Sequence, residues 1–204
     1  MAATAHDYTW FTSDFPDAYC ITLIQGLTPE EFLSRIGAEV EPGMRDAEGL
    51  EQLCSDVGFD GRHHRLPIGT TAVTGDGSLW TLGVEWNGFA GITDEIMKPA
   101  SAGTRIVSHF RNENAADYFH WYEDGEVRLQ FEPLFAYARW GSEADSIAEQ
   151  MRESGFDLSD AEDRDFELHT EASFALAERL TGVRLTEQTL REAQYVCGTT
   201  TMTL

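Results

Sequence analysis

The sequence predicts an α+β fold: an antiparallel β-meander sheet with an N-terminal strand–helix unit before it and C-terminal helices packed on one of its faces. Three observations point there. Apolar residues recur at helical spacing in both flanks, near residues 29–57 and 142–196. Between them, over about residues 70–132, the period falls to two. The connections in that middle stretch are too short for the crossovers that a parallel sheet needs. With 42% hydrophobic and 11% aromatic residues among 204, the composition is that of a globular protein, and the length suits one domain over 1–204. The two ends, about 1–14 and 199–204, read as disordered, the second as a frayed Thr-rich tail.

The first strand is expected over 19–25, where Tyr-Cys-Ile-Thr-Leu-Ile-Gln is apolar and β-branched. Gly26 turns the chain into a helix with a marked start: Thr28 caps it, Pro29 suits its first position and Glu31 completes a capping box. Phe32, Leu33 and Ile36 form its apolar face, and Gly37 ends it. A second helix is expected from about Asp46 to Val57, with Leu50, Leu53, Cys54 and Val57 at helical spacing and Gly58 as its stop.

In the middle, Trp80, Leu82, Val84 and Trp86 alternate with Thr81, Gly83 and Glu85, the pattern of a half-buried strand. Thr74-Gly75-Asp76-Gly77 before it reads as a hairpin loop, and Asn87-Gly88 after it as a tight turn. Three further strands are expected: Arg105 to Arg111, Tyr118 to Glu123 and Glu126 to Phe131. The apolar faces set the register of the last hairpin. A two-residue Asp124-Gly125 turn would place Val127, Leu129 and Phe131 opposite the face of Phe119 and Trp121. A three-residue loop, Glu123-Asp124-Gly125 with a left-handed Gly125, slips the strand by one residue and gathers all five on one face, so it is the expected form.

Helical periodicity returns at Ser142, which caps a helix carrying Ile147 and Met151 and ending at Gly155. Residues 157–169 are strongly acidic and read as a solvated loop or short helix. Thr170 to Leu180 makes a helix ended by Gly182, and Thr186 caps a last one through about Val196.

Thirty-six acidic against 14 basic residues leave a formal charge of −22. Such a chain repels phosphate, so neither nucleic acid nor an anionic membrane surface is an expected partner. The acids are unevenly placed. Residues 1–60 hold twelve acids and two arginines, and residues 143–171 eleven and two, whereas 61–142 are nearly balanced at ten against seven. The acidity belongs to the helical flanks. It serves either as a solvated surface that keeps the chain soluble or as a field that steers a basic protein partner. Lys98 is the only lysine, which fits a high-GC genome or a halophile.

Cys20, Cys54 and Cys197 stand far apart and form no CxxC pair. The N-terminus lacks a basic and then apolar leader, and the longest uncharged apolar stretch, Ala18 to Leu27, is half a bilayer span. The expected compartment is the cytoplasm, with reduced thiols.

Few motifs carry chemistry. Arg62-His63-His64-Arg65 is the one basic cluster, a loop before the sheet that either holds an anion or is neutralised by neighbouring acids. If Arg111 pairs with Tyr118 across the Asn112 to Asp117 loop, His109 and His120 become cross-strand neighbours, able to share a metal or act as acid and base. The competing reading is a polar sheet face, and no third ligand is identifiable, so no metal site is assigned. No Walker loop, GxGxxG or GxSxG motif occurs, no catalytic residue is identified, and no cofactor is expected. Asn, Gly, Arg and aromatic residues gather instead at the ends of the strands, in Trp86 to Gly91, Phe110 to Asn114, Phe131 to Phe135 and Arg139 to Gly141. They read as turn geometry or as interface anchors.

The run Trp80-Thr-Leu-Gly-Val-Glu85-Trp-Asn87-Gly88 resembles part of a domain family of unknown function found mostly in Streptomyces-like actinobacteria. So do Ser101-Ala-Gly103-Thr104, Val107 to Ala115, Phe131 to Phe135, Arg139 to Ser142 and the helical ending Ala177 to Thr186, a resemblance over roughly 18–190. It implies no activity, cofactor or catalytic residue. The family pattern centres on Glu85, Asn87, Arg111, Asn112, Asn114, Glu132, Arg139 and Trp140 rather than on histidines, and these eight are the expected binding residues. The expected function is a non-catalytic, immunity- or adaptor-like module that docks a protein partner. The alternative is a small-ligand-binding or hydrolytic domain with a polar site at the sheet ends.

Overall fold

The computed structural model describes residues 2–56 and 63–203. Its strands are β1 (Tyr19–Gln25), β2 (Glu39–Arg45), β3 (His63–Gly75), β4 (Ser78–Trp86), β5 (Arg105–Arg111), β6 (Asp117–Glu123), β7 (Glu126–Phe131), β8 (Arg139–Trp140) and β9 (Tyr195–Thr203). Its α-helices are α1 (Thr9–Asp14), α2 (Pro29–Arg35), α3 (Ala47–Asp56), α4 (Asp94–Ala100), α5 (Ala148–Ser154), α6 (His169–Thr181) and α7 (Glu187–Glu192). The strands form one antiparallel sheet in the order β2-β9-β3-β4-β1-β5-β6-β7-β8, so the fold is α+β.

Helices cover both faces. On one, Phe11, Leu50, Phe174 and Leu190 of α1, α3, α6 and α7 pack on Tyr19, Ile21, Leu82 and Val84. The same layer continues through Met151 of α5 and Leu176 of α6 onto Phe119, Trp121, Leu129 and Phe131. On the other face, Phe32 and Leu33 of α2 and Met97 and Ala100 of α4 cover Ile24, Ile68, Ile106 and Tyr122. This double cover corrects the half-buried reading of β4: Trp80 through Glu85 are all buried. Alternation misleads there because Gly83, a minimal side chain, lets Phe32 and Ile68 close on the second face.

Several local signals act as read. The Thr28 hydroxyl accepts from the Glu31 amide while the Glu31 carboxylate accepts from the Thr28 amide, closing the capping box of α2. Asp46 accepts from the Gly49 amide at the start of α3, whose expected end at Val57 and Gly58 lies outside the described residues. Asp76 and Gly77, both at positive φ, make the two-residue turn of the β3–β4 hairpin.

Other expectations give way. The plain meander is interrupted, because β1 inserts between β4 and β5, and α4 lies in the connection that this insertion lengthens. The N-terminal segment is ordered: Ala3, Ala5, Tyr8 and Phe11 are buried against the helical layer. The C-terminal tail is an interior strand. β9 starts at Tyr195, just after α7 ends at Glu192, and pairs with both β2 and β3. The basic tetrad is not a loop, since His63, His64 and Arg65 open β3 against β9, while Arg62 lies outside the described residues.

The β6–β7 hairpin reaches the expected face by another device. Asp124 and Gly125 form a two-residue turn with Glu123 opposite Glu126, and a bulge at Arg128 then shifts the register. Phe119, Trp121, Leu129 and Phe131 share one face as expected, with Phe119 opposite Phe131 and Trp121 opposite Leu129, but Val127 pairs with Tyr122 and joins the opposite core.

Candidate functional site

The register aligns Trp86, Tyr19, Arg111 and Asp117 in one row across β4, β1, β5 and β6, at one end of the sheet. Six of the eight expected binding residues stand at this end; Arg139 and Trp140 make up the short edge strand β8. What they do divides into buried anchoring and an open cleft.

Glu85 is fully buried, and its two carboxylate oxygens accept from the Ala90 and Gly91 amides at 2.9 and 3.0 Å. Burial pushes its carboxyl up to about 7, against the opposing pull of those amides. It ties the end of β4 to the turn that leads into α4. Gly91 must be glycine here, because a Cβ would stand 2.2 Å from Thr22 Oγ1 and 2.6 Å from Cys20 Sγ. Burial also pushes the Cys20 thiol well above its ordinary value, Cys54 to about 12 and Cys197 to about 11. All three cysteines are free, and burial holds their thiols in the protonated form.

Beside this lies a buried relay. The Tyr19 hydroxyl is 3.3 Å from His109 Nδ1, and His109 Nε2 is 2.6 Å from Asp117 Oδ1. Burial keeps the Tyr19 phenol protonated, and the His109 ring bridges it to the Asp117 carboxylate. His169 Nε2, at the start of α6, lies 3.6 Å from the other Asp117 oxygen. Arg111 donates to Thr170 Oγ1 at 2.7 Å. Tyr19, His109 and Asp117 are each no more than 2% exposed, so the relay braces α6 against the sheet rather than facing a substrate.

The histidine pair separates. Arg111 pairs with Asp117, not Tyr118, so His109 opposes Phe119 and His120 opposes Ser108. One residue of register puts the two imidazoles on opposite faces. His120 instead bonds the Tyr122 hydroxyl, which donates to Asp94 Oδ1 at 2.9 Å, and burial lowers the imidazole to about 4. Among the described residues no group of three His, Cys, Asp or Glu is placed to hold a metal ion.

The remaining expected residues bond mainly to their own chain. Asn112 Oδ1 accepts from the Asn114 and Ala116 amides, shaping the β5–β6 turn. Arg139 donates to the Ala144 carbonyl at 2.8 Å, and the exposed Trp140 donates to Gln130 at 3.0 Å. Burial and then the neighbouring Asp117 raise the Glu132 carboxyl. Of the eight, Asn87 lines an open cavity.

That cavity is half of a cleft between the α1–β1 connection, α3 and the end of β4. One part, about 600 Å³, is lined by Phe15, Asp46, Glu48, Glu51, Trp86 and Arg191 among others. The adjoining part, about 540 Å³, is lined by Pro16, Asp17, Ala18, Glu51, Cys54, Ser55, Trp86, Asn87 and Glu113. Trp86, Pro16 and Glu51 belong to both. The Phe15 and Trp86 rings stack at 6.0 Å, and the Arg191 guanidinium lies 4.8 Å over Phe15 while Nε bonds Glu187 at 2.7 Å. Five carboxylates, those of Asp17, Asp46, Glu48, Glu51 and Glu113, therefore surround an aromatic wall. Sequence reasoning singled out Trp86 and Asn87 and passed over Phe15-Pro16-Asp17, whose Phe-Pro pair is the signal of an anchored turn.

A family model described as a family of unknown function (DUF6461) matches residues 1–203, so the chain belongs to that family. No curated protein and no solved structure matches the chain. Among the described residues no helix is long and apolar enough to cross a membrane.

Proposed function

With membership of a family of unknown function as the premise, we propose that this chain is a non-catalytic cytoplasmic binding module, of an actinobacterial host, that docks a basic protein partner in an immunity- or adaptor-like role. The cleft is the observation that carries this reading. Its volume is in the range of ligand sites, its wall is aromatic, and its rim is acidic. A basic segment entering it would be steered by the field of the acidic flanks and anchored on Phe15 and Trp86. Glu85 and Asn112 support this role from behind: one pins the chain beyond Trp86, the other shapes the turn that presents Glu113.

The test compares wild-type protein with a D17N/E51Q/E113Q variant as bait in host extract. The reading expects one basic protein to be retained by wild type, released by about 0.5 M salt, where screening is nearly complete beyond a few ångströms, and lost from the variant. Equal retention by both baits would sink it.

A further inference from the structure

We propose that the Asn87 side of the cleft is a guanidinium site, which takes an arginine side chain of the partner flat on the Trp86 indole and forked onto the carboxylates beside it. This rests on the docking reading above and makes it specific. The chain builds the same arrangement twice for its own arginines. Arg191 lies 4.8 Å over Phe15 with Nε on Glu187 at 2.7 Å. Arg105 lies 4.9 Å over the Trp121 ring with Nε on Glu123 at 2.9 Å. Each has three parts: a ring, a carboxylate and a guanidinium that meets both.

The Asn87 side of the cleft has the first two parts. Trp86 supplies the ring, and Asp17, Glu51 and Glu113 supply three carboxylates. No lysine or arginine lines it among the described residues. The charge there is complementary to a cation, and none of the three carboxylates has an ion-pair partner among the described residues. Arginine fits this set better than lysine. A planar guanidinium stacks on an indole and still donates in its own plane to carboxylates, whereas an ammonium is a compact, strongly hydrated point charge.

Calorimetric titration of the intact protein with an arginine octapeptide and its lysine counterpart, equal in charge, tests this. The arginine peptide is expected to bind about tenfold more tightly, the size of one partly desolvated cation–π contact. Trp86→Leu should erase the preference and keep salt-sensitive binding of both peptides, while Trp86→Phe, which retains a ring, should keep most of it. Thermal melts confirm that each variant is folded. Equal affinity for the two peptides in wild type overturns the guanidinium site and leaves the docking reading standing. Binding of neither overturns both, and a preference that survives in Trp86→Leu overturns the placement on Trp86.

Discussion

The Gly91 amide donates a 3.0 Å hydrogen bond to the buried Glu85 carboxylate, holding the chain beyond β4 against the sheet that carries Trp86 and Asn87. A charge so enclosed makes stability depend on pH. Burial places the folded Glu85 carboxyl at about 7 against an ordinary 4.5, so between those values the native state binds the extra proton. Its stabilising contribution is full below pH 4.5 and is lost as pH rises through 7. Glu85→Gln does not titrate. Urea unfolding at pH 5, 6.5 and 8 should show wild type losing about 3 kcal/mol relative to the variant across that range. Parallel pH curves for the two proteins would refute the assignment.

His120 sets the opposite limb. Burial lowers its folded value to about 4 from 6.5, so the unfolded chain takes up the proton first as pH falls. Its contribution is present above 6.5 and lost toward 4. His120→Asn keeps a donor toward the Tyr122 hydroxyl and should flatten the acid limb of the stability curve by up to about 3 kcal/mol. An unchanged acid limb would show that other groups govern it.

Gly91→Ala should destabilise by about 1–3 kcal/mol through overpacking, because the added methyl would meet Thr22 and Cys20 in a polar seam with no room to yield. Pairing it with Cys20→Ala should recover part of the loss. If the two substitutions add independently in denaturant melts, the close contact is not the cause.

Asp117→Ala should cost about 1–3 kcal/mol, the range for leaving a buried polar group without its hydrogen-bond partner. It strands the His109 ring, 2.6 Å away and 2% exposed. Asp117→Asn keeps an acceptor oxygen and should cost less. Equal stability of the two variants in thermal melts would argue against the relay as a brace for α6.

Deletion of 195–204 should abolish cooperative unfolding, since β9 is hydrogen-bonded on both sides and its loss would expose the facing edges of β2 and β3. A truncated chain that melts like wild type would contradict the strand order.

Local chemistry was legible wherever neighbours in sequence are neighbours in space. The capping box of α2, the Asp76-Gly77 turn and the helical period of α6 need only nearby residues to specify them. Placement of the site was partly legible: Trp86 and Asn87 stand out at a strand end, whereas Asp17, Glu51 and Glu113 come from three distant segments that only the fold brings together.

By itself, then, the sequence determined the α+β class, most of the helices and the neutral strand-rich middle between acidic flanks, because periodicity and caps act within a few residues. Tertiary structure alone decided three things. It chose the neighbours of each strand, since a Thr-rich tail becomes β9 only when β2 and β3 offer it two edges. It chose the β5–β6 register, which sends His109 to Tyr19 on one face and His120, through Tyr122, to Asp94 on the other, partners far away in sequence. And it turned diffuse acidity into a cleft, because carboxylates scattered along the chain converge only where α3, the α1–β1 connection and the end of β4 pack around one indole.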